Sequence, residues 1–142
     1  MFILRPKYSP GITEYGDYQE IRWDVAGCNL ECLFCWSPTS RKKSFGHQDK
    51  IVSSKNLYKE TVSWISKKPN KTFIRFTGGE PLQFLDEIVE VVKMLESEGN
   101  AKKTPIVIQT NGILIPQHES EFDNLIKKCN QKILFEFSFK GT

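Results

Sequence analysis

The feature that most constrains the fold is a regular alternation of short apolar segments with longer amphipathic segments. The apolar segments have the length and residue types of β-strands and cover residues 18–24, 71–77, 105–110 and 133–139. The amphipathic segments have a helical apolar period and cover about residues 55–67, 83–98 and 118–129. Strands that alternate with helices are typical of parallel sheets joined by right-handed crossovers. The sequence therefore predicts an α/β fold with four parallel strands.

The segments outside this alternation carry turn-forming or polar residues. Residues 1–17 hold two prolines and two glycines, so we expect an irregular N-terminal arm or a short hairpin there. Residues 38–50 are polar and contain Gly46, which predicts a connecting loop. Residues 18–142 then form the folded α/β domain.

Composition narrows the class of protein. A chain of 142 residues with 39% apolar and 26% charged residues is expected to form one soluble domain with a substantial core. The net charge of +3 is mild and the lysines are scattered, so nucleic acid is not indicated as a partner. The sequence lacks an apolar run of the roughly 18 residues needed to span a bilayer, so no membrane partner and a cytoplasmic location are expected.

Three of the four cysteines stand within eight residues, at Cys28, Cys32 and Cys35. In a reducing compartment, clustered cysteines indicate metal or redox chemistry more often than disulfides. Three thiolates can bind three irons of a [4Fe–4S] cluster and leave the fourth iron open to a substrate or cofactor. A cluster with four protein ligands is more naturally an electron carrier.

Three other interpretations of the cysteines compete with the open-iron cluster. The cysteines could form a buried stripe on a helix, but Gly27 and Pro38 bracket a segment that is short for a helix. A zinc site or an electron-transfer cluster would need a fourth ligand, for which the candidates are His47, His118 and Cys129. Cys129 fits the apolar stripe of its own predicted helix, and both histidines are expected at the surface. A non-catalytic binding or electron-transfer module stabilised by zinc or iron–sulfur is therefore the alternative function.

A second motif, Thr77-Gly78-Gly79-Glu80-Pro81, directly follows a predicted strand. Paired glycines let the backbone approach a ligand without obstruction by a β-carbon. Free N–H and C=O groups in such a turn can bind the charged end of an amino acid.

With these motifs the chain resembles the radical S-adenosylmethionine (SAM) superfamily over about residues 18–142. The spacing from Cys28 to Cys35, with Phe34 before the last cysteine, matches the cluster loop of that family, and the Gly78-Gly79-Glu80 motif matches its glycine-rich turn. Thr110-Asn111-Gly112 is similar to a Thr-Asn-Gly that is frequent after strand three. Ser138 falls where many members place a polar residue that contacts the cofactor.

The resemblance implies a mechanism and its cofactors. Cys28, Cys32 and Cys35 would bind a [4Fe–4S] cluster whose open iron chelates the amino and carboxylate groups of SAM. Reduction by an external flavodoxin-like or ferredoxin-like protein would cleave SAM to methionine and a 5′-deoxyadenosyl radical, which takes hydrogen from an unidentified substrate. Phe34 would lie beside the adenine, and the turn from Gly78 to Glu80 would hold the methionine amino group.

Strand geometry gives the same site independent support. In (βα) barrels, functional residues gather at the carboxyl ends of the strands, and all four motifs lie there. Side chains alternate between the two faces of a strand, so phenylalanines at 135, 137 and 139 should meet the helices. The polar residues of the opposite face should then line a ligand cavity: Arg75, Thr77, Gln109, Asn111, Glu136, Ser138 and Lys140.

The family's core has six βα units, whereas this sequence predicts three units and one further strand. The expected architecture is thus a partial (βα) barrel of the radical SAM type, truncated after strand four. Strands one and four would carry open edges, through which the chain could self-associate. Ser138-Phe139-Lys140 is similar to the Asp-x-Lys pattern of glycyl-radical-enzyme activases, with serine in place of the acid. This points to an activating enzyme.

Overall fold

The computed structural model describes residues 1–5, 9–27, 50–97, 103–128 and 132–138. In these ranges the chain forms one seven-stranded sheet and three α-helices. The strands are β1 (Phe2–Leu4), β2 (Gly11–Tyr15), β3 (Tyr18–Val25), β4 (Lys50–Val52), β5 (Thr72–Gly78), β6 (Ile106–Thr110) and β7 (Ile133–Phe137). The helices are α1 (Ser54–Ile65), α2 (Leu85–Glu96) and α3 (Glu119–Lys128), with 3₁₀ turns at Pro81–Phe84 and Ile115–His118.

Four adjacent strands of the sheet run parallel. The strand order is β4-β1-β3-β5-β6-β7, with β2 also paired to β3. The parallel part is β3-β5-β6-β7, and one row of isoleucines crosses it in register: Ile21, Ile74, Ile106 and Ile133. The predicted α/β class with parallel strands is therefore confirmed, and it is consistent with a radical SAM type of partial barrel.

The N-terminal segment corrects one expectation. The strand predicted first, which is β3, was expected to have an open edge. Instead β2 pairs antiparallel along its first half, from Gly11 opposite Arg22 to Tyr15 opposite Tyr18. Beyond that point Leu4 of β1 pairs with Val25. Most of the residues described before position 18 therefore extend the sheet as strands, and the described sheet ends at β4 and β7.

A second departure is the strand β4, whose first residue, Lys50, was predicted to end a loop. Phe2, Ile3 and Leu4 pair with Val52, Ile51 and Lys50 in antiparallel register. Strands of three residues are too short to give a readable alternation, and each is identified only by its partner. The remainder of the predicted loop, residues 38–49, lies outside the described residues.

The helices cover one face of the sheet and build the core against it. Helix α1 begins after Ser53, whose side chain accepts a hydrogen bond from the N–H of Asn56. The indole of Trp23 is fully buried and donates to the hydroxyl of Thr61 on α1 at 3.1 Å. On α3, the ring of Phe122 contacts Phe135 with centroids 4.6 Å apart, so this phenylalanine of β7 meets a helix as expected.

The opposite face of the sheet carries a polar cluster on β3 and β5, although Val107 and Leu134 also lie on this face. Glu20, Arg22 and Asp24 of β3 lie on this face beside Arg75 and Thr77 of β5. The strands therefore alternate between an apolar helix side and a polar side, as their sequence pattern predicts. Within the described ranges, none of the helices is long and apolar enough to cross a membrane.

Candidate functional site

The glycine turn after β5 lies directly against the last residues before the cysteine segment. A β-carbon on Gly78 would lie 2.5 Å from the carbonyl oxygen of Val25, and its φ of +108° favours glycine in any case. A β-carbon on Gly79 would collide with the carbonyl group of Gly27. Both glycines are therefore required for the close approach of β5 to the chain that leads into Cys28.

Two backbone hydrogen bonds fix this approach. The N–H of Gly79 donates to the carbonyl of Val25 at 2.8 Å, and the N–H of Glu80 donates to the carbonyl of Gly27 at 2.7 Å. The expectation that N–H groups of this turn are free for a ligand is wrong for these two. The carbonyl of Glu80 is also used within the protein, because it accepts from the N–H of Gln83 at 3.1 Å.

Glu80 holds the turn to the neighbouring strand end. Its side chain is 1% exposed, and its Oε1 accepts from the N–H of Leu82 at 3.1 Å and from the hydroxyl of Thr110. Its Oε2 accepts from the N–H of Asn111 at 2.9 Å. A buried carboxylate with three donors is well satisfied, so Glu80 positions the loops after β5 and β6 relative to each other.

The same edge extends to β7. The N–H of Ser138 donates to the carbonyl of Thr110 at 2.8 Å. The carboxamide oxygen of Asn111 accepts from the N–H of Ile113 at 3.0 Å and shapes the turn after β6. Hydrogen bonds thus connect Gly27, Glu80, Thr110 and Ser138 along the carboxyl ends of β3, β5, β6 and β7.

Several predicted site residues are therefore neighbours. The structure brings Gly78, Gly79, Glu80, Asn111 and Ser138 to one edge of the sheet, where the parallel strands end. Their roles toward a cofactor stay predictions. Cys28, Cys32, Phe34, Cys35 and Lys140 lie outside the described residues, as do His47 and Cys129.

A cavity of about 350 Å³ opens on the polar face of the sheet. Arg75 lines it, with Nε 3.3 Å from Oε2 of Glu20 and Nη1 2.9 Å from Oε2 of Glu136. Burial lowers the pKa of Arg75, but hydrogen bonds and charge from Glu136 and Glu20 outweigh it, so the pKa is raised and the guanidinium stays charged. Arg75 thereby connects β3 and β7 across the two strands between them.

Hydrogen bonds between side chains continue along the cavity wall. The hydroxyl of Thr77 donates to Oε1 of Gln109 at 2.6 Å, and Nε2 of Gln109 donates to Oε1 of Glu136 at 3.2 Å. Arg75, Thr77 and Gln109 were predicted to face one cavity and line it, and Glu136 is hydrogen-bonded to Arg75 and Gln109. The remaining wall is built by Tyr15, Glu20, Arg22 and Asp24.

Asp24 is a deeply buried carboxylate of the wall. Its side chain is 1% exposed, and burial raises the pKa of its carboxyl although Arg22 and Arg5 lower it. Arg22 Nε lies 3.3 Å from Oδ2, and Arg5 Nη1 lies 4.0 Å from Oδ1. Asp24 is not among the site residues predicted from the sequence, although its alternation with Trp23 and Val25 already assigns it to the polar face.

His118 belongs to a different part of the molecule. It stands in the 3₁₀ turn before α3, and its ring nitrogens lie within 4.8 Å of carboxylate oxygens of Asp86 and Glu121. Burial, then the charges of Glu121 and Glu87, raise the pKa of Asp86. These groups lie at the starts of α2 and α3, in the helix layer, whereas the polar cavity lies on the other face of the sheet.

Comparison with known proteins places the site in a family context. The family model of the Radical SAM superfamily matches residues 25–137, which include the cysteine segment, the glycine turn and the ends of β6 and β7. The matched range covers more than half of the 142 residues.

Curated relatives are similar over about two thirds of the chain. The 7-carboxy-7-deazaguanine synthase of Methanospirillum hungatei JF-1 is 36% identical over 96 residues, which cover 67% of this chain and 35% of that protein. The GTP 3′,8-cyclase of Clostridium acetobutylicum is 33% identical over 90 residues, which cover 63% of this chain and 26% of that protein. Molybdenum cofactor biosynthesis protein 1 of Dictyostelium discoideum is 37% identical over 89 residues and 13% of its length. The chain spans about a third or less of the length of these relatives.

Proposed function

The chain belongs to the radical SAM superfamily, and on that premise we propose that it is the cofactor-binding part of a radical enzyme that abstracts hydrogen from a substrate. Enzymes of this superfamily use a [4Fe–4S] cluster and SAM. When bound and reduced, this pair supplies a 5′-deoxyadenosyl radical. The substrate, the reaction and any role as an activating enzyme are part of the proposal.

Cys28, Cys32 and Cys35 are the proposed cluster ligands. Three thiolates leave one iron without a protein ligand, which is the coordination that a chelating cofactor requires. The residue before Cys28 is Gly27, whose carbonyl accepts from the N–H of Glu80. The chain therefore leaves β3 for the cysteines at a point fixed against the glycine turn.

The glycine turn has the chemistry to hold the amino-acid end of SAM. Its close approach to residues 25–27 tolerates no β-carbon at Gly78 or Gly79, and the N–H groups of Gly79 and Glu80 already donate to the protein. A carbonyl oxygen of the turn would accept from an ammonium rather than bind a carboxylate, although that of Glu80 already accepts from the N–H of Gln83 at 3.1 Å. These observations fit the proposed role of Gly78–Glu80 toward the methionine amino group.

The polar cavity beside this edge is the proposed substrate site. Its wall is fixed by the contacts of Arg75 with Glu20 and Glu136 and by the hydrogen bond from Thr77 to Gln109. A fixed wall limits the positions that a bound substrate can adopt, which favours attack at one hydrogen. Exclusion of water protects a radical from side reactions.

The single observation that carries the proposal is the hydrogen-bonded edge from Gly27 through Glu80 and Thr110 to Ser138. It joins the start of the cysteine segment, the glycine turn and the ends of β6 and β7. A chain that used its cysteines only as a structural metal site would not need these four strand ends beside one polar cavity. The proposed partner is an external one-electron reductant such as flavodoxin, which a reducing cytoplasm would supply.

The test is reductive cleavage of SAM by the anaerobically reconstituted protein. With dithionite or reduced flavodoxin, we expect 5′-deoxyadenosine and methionine to appear together, as quantified by liquid chromatography and mass spectrometry. Cys32→Ala should abolish the cluster and the products, whereas Cys129→Ser should keep both. Stoichiometric zinc without cleavage would instead support a metal-stabilised binding module. A cluster that is lost in Cys129→Ser would support an electron carrier.

A further inference from the structure

Asp24 is a buried carboxylate that lies in the wall of the polar cavity. It stands near the carboxyl end of β3, three residues before Gly27, and its side chain lines the polar cavity while only 1% exposed. A β-carbon on Gly78 would lie 2.7 Å from its Oδ1. The carboxylate therefore lies immediately beside the glycine turn and within the cavity wall.

Neither carboxylate oxygen of Asp24 accepts a hydrogen bond from the residues that the structure describes. Arg22 and Arg5 lie within ion-pair distance, but neither donates to these oxygens. The hydroxyl of Ser9 bonds the backbone N–H and carbonyl of Asp24, not its carboxylate. Glu80, equally buried, accepts from three donors, so Asp24 departs from the usual satisfaction of buried polar groups.

The rest of the wall has largely satisfied its own hydrogen bonds. The guanidinium of Arg75 donates to Glu20 and Glu136, the hydroxyl of Thr77 donates to Gln109, and the amide of Gln109 donates to Glu136. Asp24 contributes two buried acceptors that lack a donor. A ligand whose N–H groups reach Asp24 would supply the hydrogen-bond donors that the described protein groups do not.

Burying a carboxylate without hydrogen-bond donors costs free energy, and the charges of Arg22 and Arg5 offset only part of this cost for Asp24. Burial raises the pKa of Asp24 against the opposing effect of the two arginines, which reflects the same cost. Groups with such uncompensated burial in a cavity are typical of binding and catalytic sites.

We propose that Asp24 binds the substrate, and that the substrate presents an amine, amide or amidine nitrogen whose N–H groups donate to this carboxylate. This inference rests on the proposed function for the identity of the ligand as substrate. Asp24 then sets substrate class and orientation beside the glycine turn, because two acceptor oxygens in a buried wall discriminate strongly against ligands that lack donors.

The experiment uses benzamidine as the probe, with benzoate as a probe of the same shape but opposite charge and without N–H donors. Ligand-observed NMR on the reconstituted protein in the presence of SAM should show saturable benzamidine binding with a dissociation constant of about 1 mM or tighter. Benzoate should bind at least about tenfold more weakly. Asp24→Asn should weaken benzamidine binding about tenfold, whereas Glu90→Gln, on the exposed side of α2, should leave it unchanged.

Any of four results would overturn the inference. The first is the absence of saturable benzamidine binding to the wild type. The second is equal benzamidine binding to the Asp24→Asn variant, with circular dichroism showing that the variant is folded. The third is tighter binding of benzoate than of benzamidine, which would mean that the arginines select the ligand. Displacement of benzamidine by methionine would assign the carboxylate to the cofactor's ammonium and would overturn its assignment to the substrate. Failure of SAM cleavage in the wild type would contradict the proposed function but not the N–H-donor specificity of the cavity.

Discussion

The α-carbon of Gly79 approaches the carbonyl group of Gly27 so closely that no β-carbon fits between them. Gly27 is the last described residue before Cys28, and Gly79 is the middle residue of the Gly-Gly-Glu turn. The contact therefore couples the two most specific motifs of the chain through backbone alone. Glycine is required at position 79 because a β-carbon there would collide with the carbonyl group of Gly27.

Gly79→Ala should reduce cluster binding by the cysteine segment, although residue 79 is not itself a proposed cluster ligand. The new methyl group must displace backbone at Gly27, and overpacking of this kind costs about 1–3 kcal/mol. We expect a lower urea midpoint and a clear loss of bound iron and sulfide after reconstitution. Gly16→Ala is the control, because Gly16 has a φ of +59° but open space around it, so this change tests backbone strain without a steric collision. A full cluster content in Gly79→Ala would contradict this coupling.

Glu80→Gln should destabilise the fold although glutamine has nearly the same shape as glutamate. One carboxylate oxygen becomes an NH₂ group and faces one of the donors that Glu80 now accepts from, such as the N–H of Asn111. Leaving a buried donor without an acceptor costs about 1–3 kcal/mol. Urea unfolding should report this loss, while Glu90→Gln on the exposed side of α2 should change stability little. Equal stability of the two variants would argue against Glu80 as the link between β5 and β6.

Arg75→Met should loosen the cavity wall. The change removes the partner of Glu20, whose side chain is 5% exposed, and of Glu136, which is 53% exposed. We expect a loss of about 2 kcal/mol in urea unfolding, below the range for fully buried pairs because solvent reaches part of the pair. Lys71→Met removes an exposed pair with Asp17 and should cost about 1 kcal/mol or less. A smaller loss for Arg75→Met than for Lys71→Met would refute a structural role for this bridge.

Asp24→Asn should have a stability effect that depends on pH. The pKa of Asp24 is raised in the folded state, so the folded protein binds this proton more tightly than the unfolded chain, whose Asp pKa is about 3.9. The contribution of Asp24 is thus most favourable below the unfolded pKa and is lost as pH rises through the folded pKa. Asp24→Asn should stabilise the fold most at neutral pH, and the gain should shrink on acidification. Urea midpoints of both proteins from about pH 8 down to pH 5 measure this; a gain that grows toward low pH would contradict the sign.

The parallel part of the fold was predictable because its pattern is local and repeated. Residues 18–24 already alternate polar and apolar side chains, and Leu57, Thr61 and Ile65 mark the buried side of α1. The antiparallel strands β1 and β4 were not predictable, because three residues carry no period and their strand character depends on each other. The open edge expected at strand one was wrong for the same reason.

The candidate site was predictable as a set of positions but not as a set of interactions. Strand ends placed Glu80, Asn111 and Ser138 on one edge, which the structure bears out. The sequence could not indicate that Glu80 would bind Thr110 and Asn111, or that the turn's N–H groups would be used within the protein. The carboxylate of Asp24 accepts no hydrogen bond because of how the side chains of residues 5, 9 and 22 are placed around it. A local sequence pattern does not predict that placement.

The most direct test of the radical SAM assignment is electron paramagnetic resonance of the reduced, reconstituted protein with and without SAM. We predict one [4Fe–4S]⁺ signal per chain whose g-values change when SAM binds to the iron that lacks a cysteine, and loss of that signal in Cys32→Ala. A cluster whose spectrum is indifferent to SAM, or a wild-type protein that assembles no cluster, would contradict the assignment of Cys28, Cys32 and Cys35 as an open-iron site.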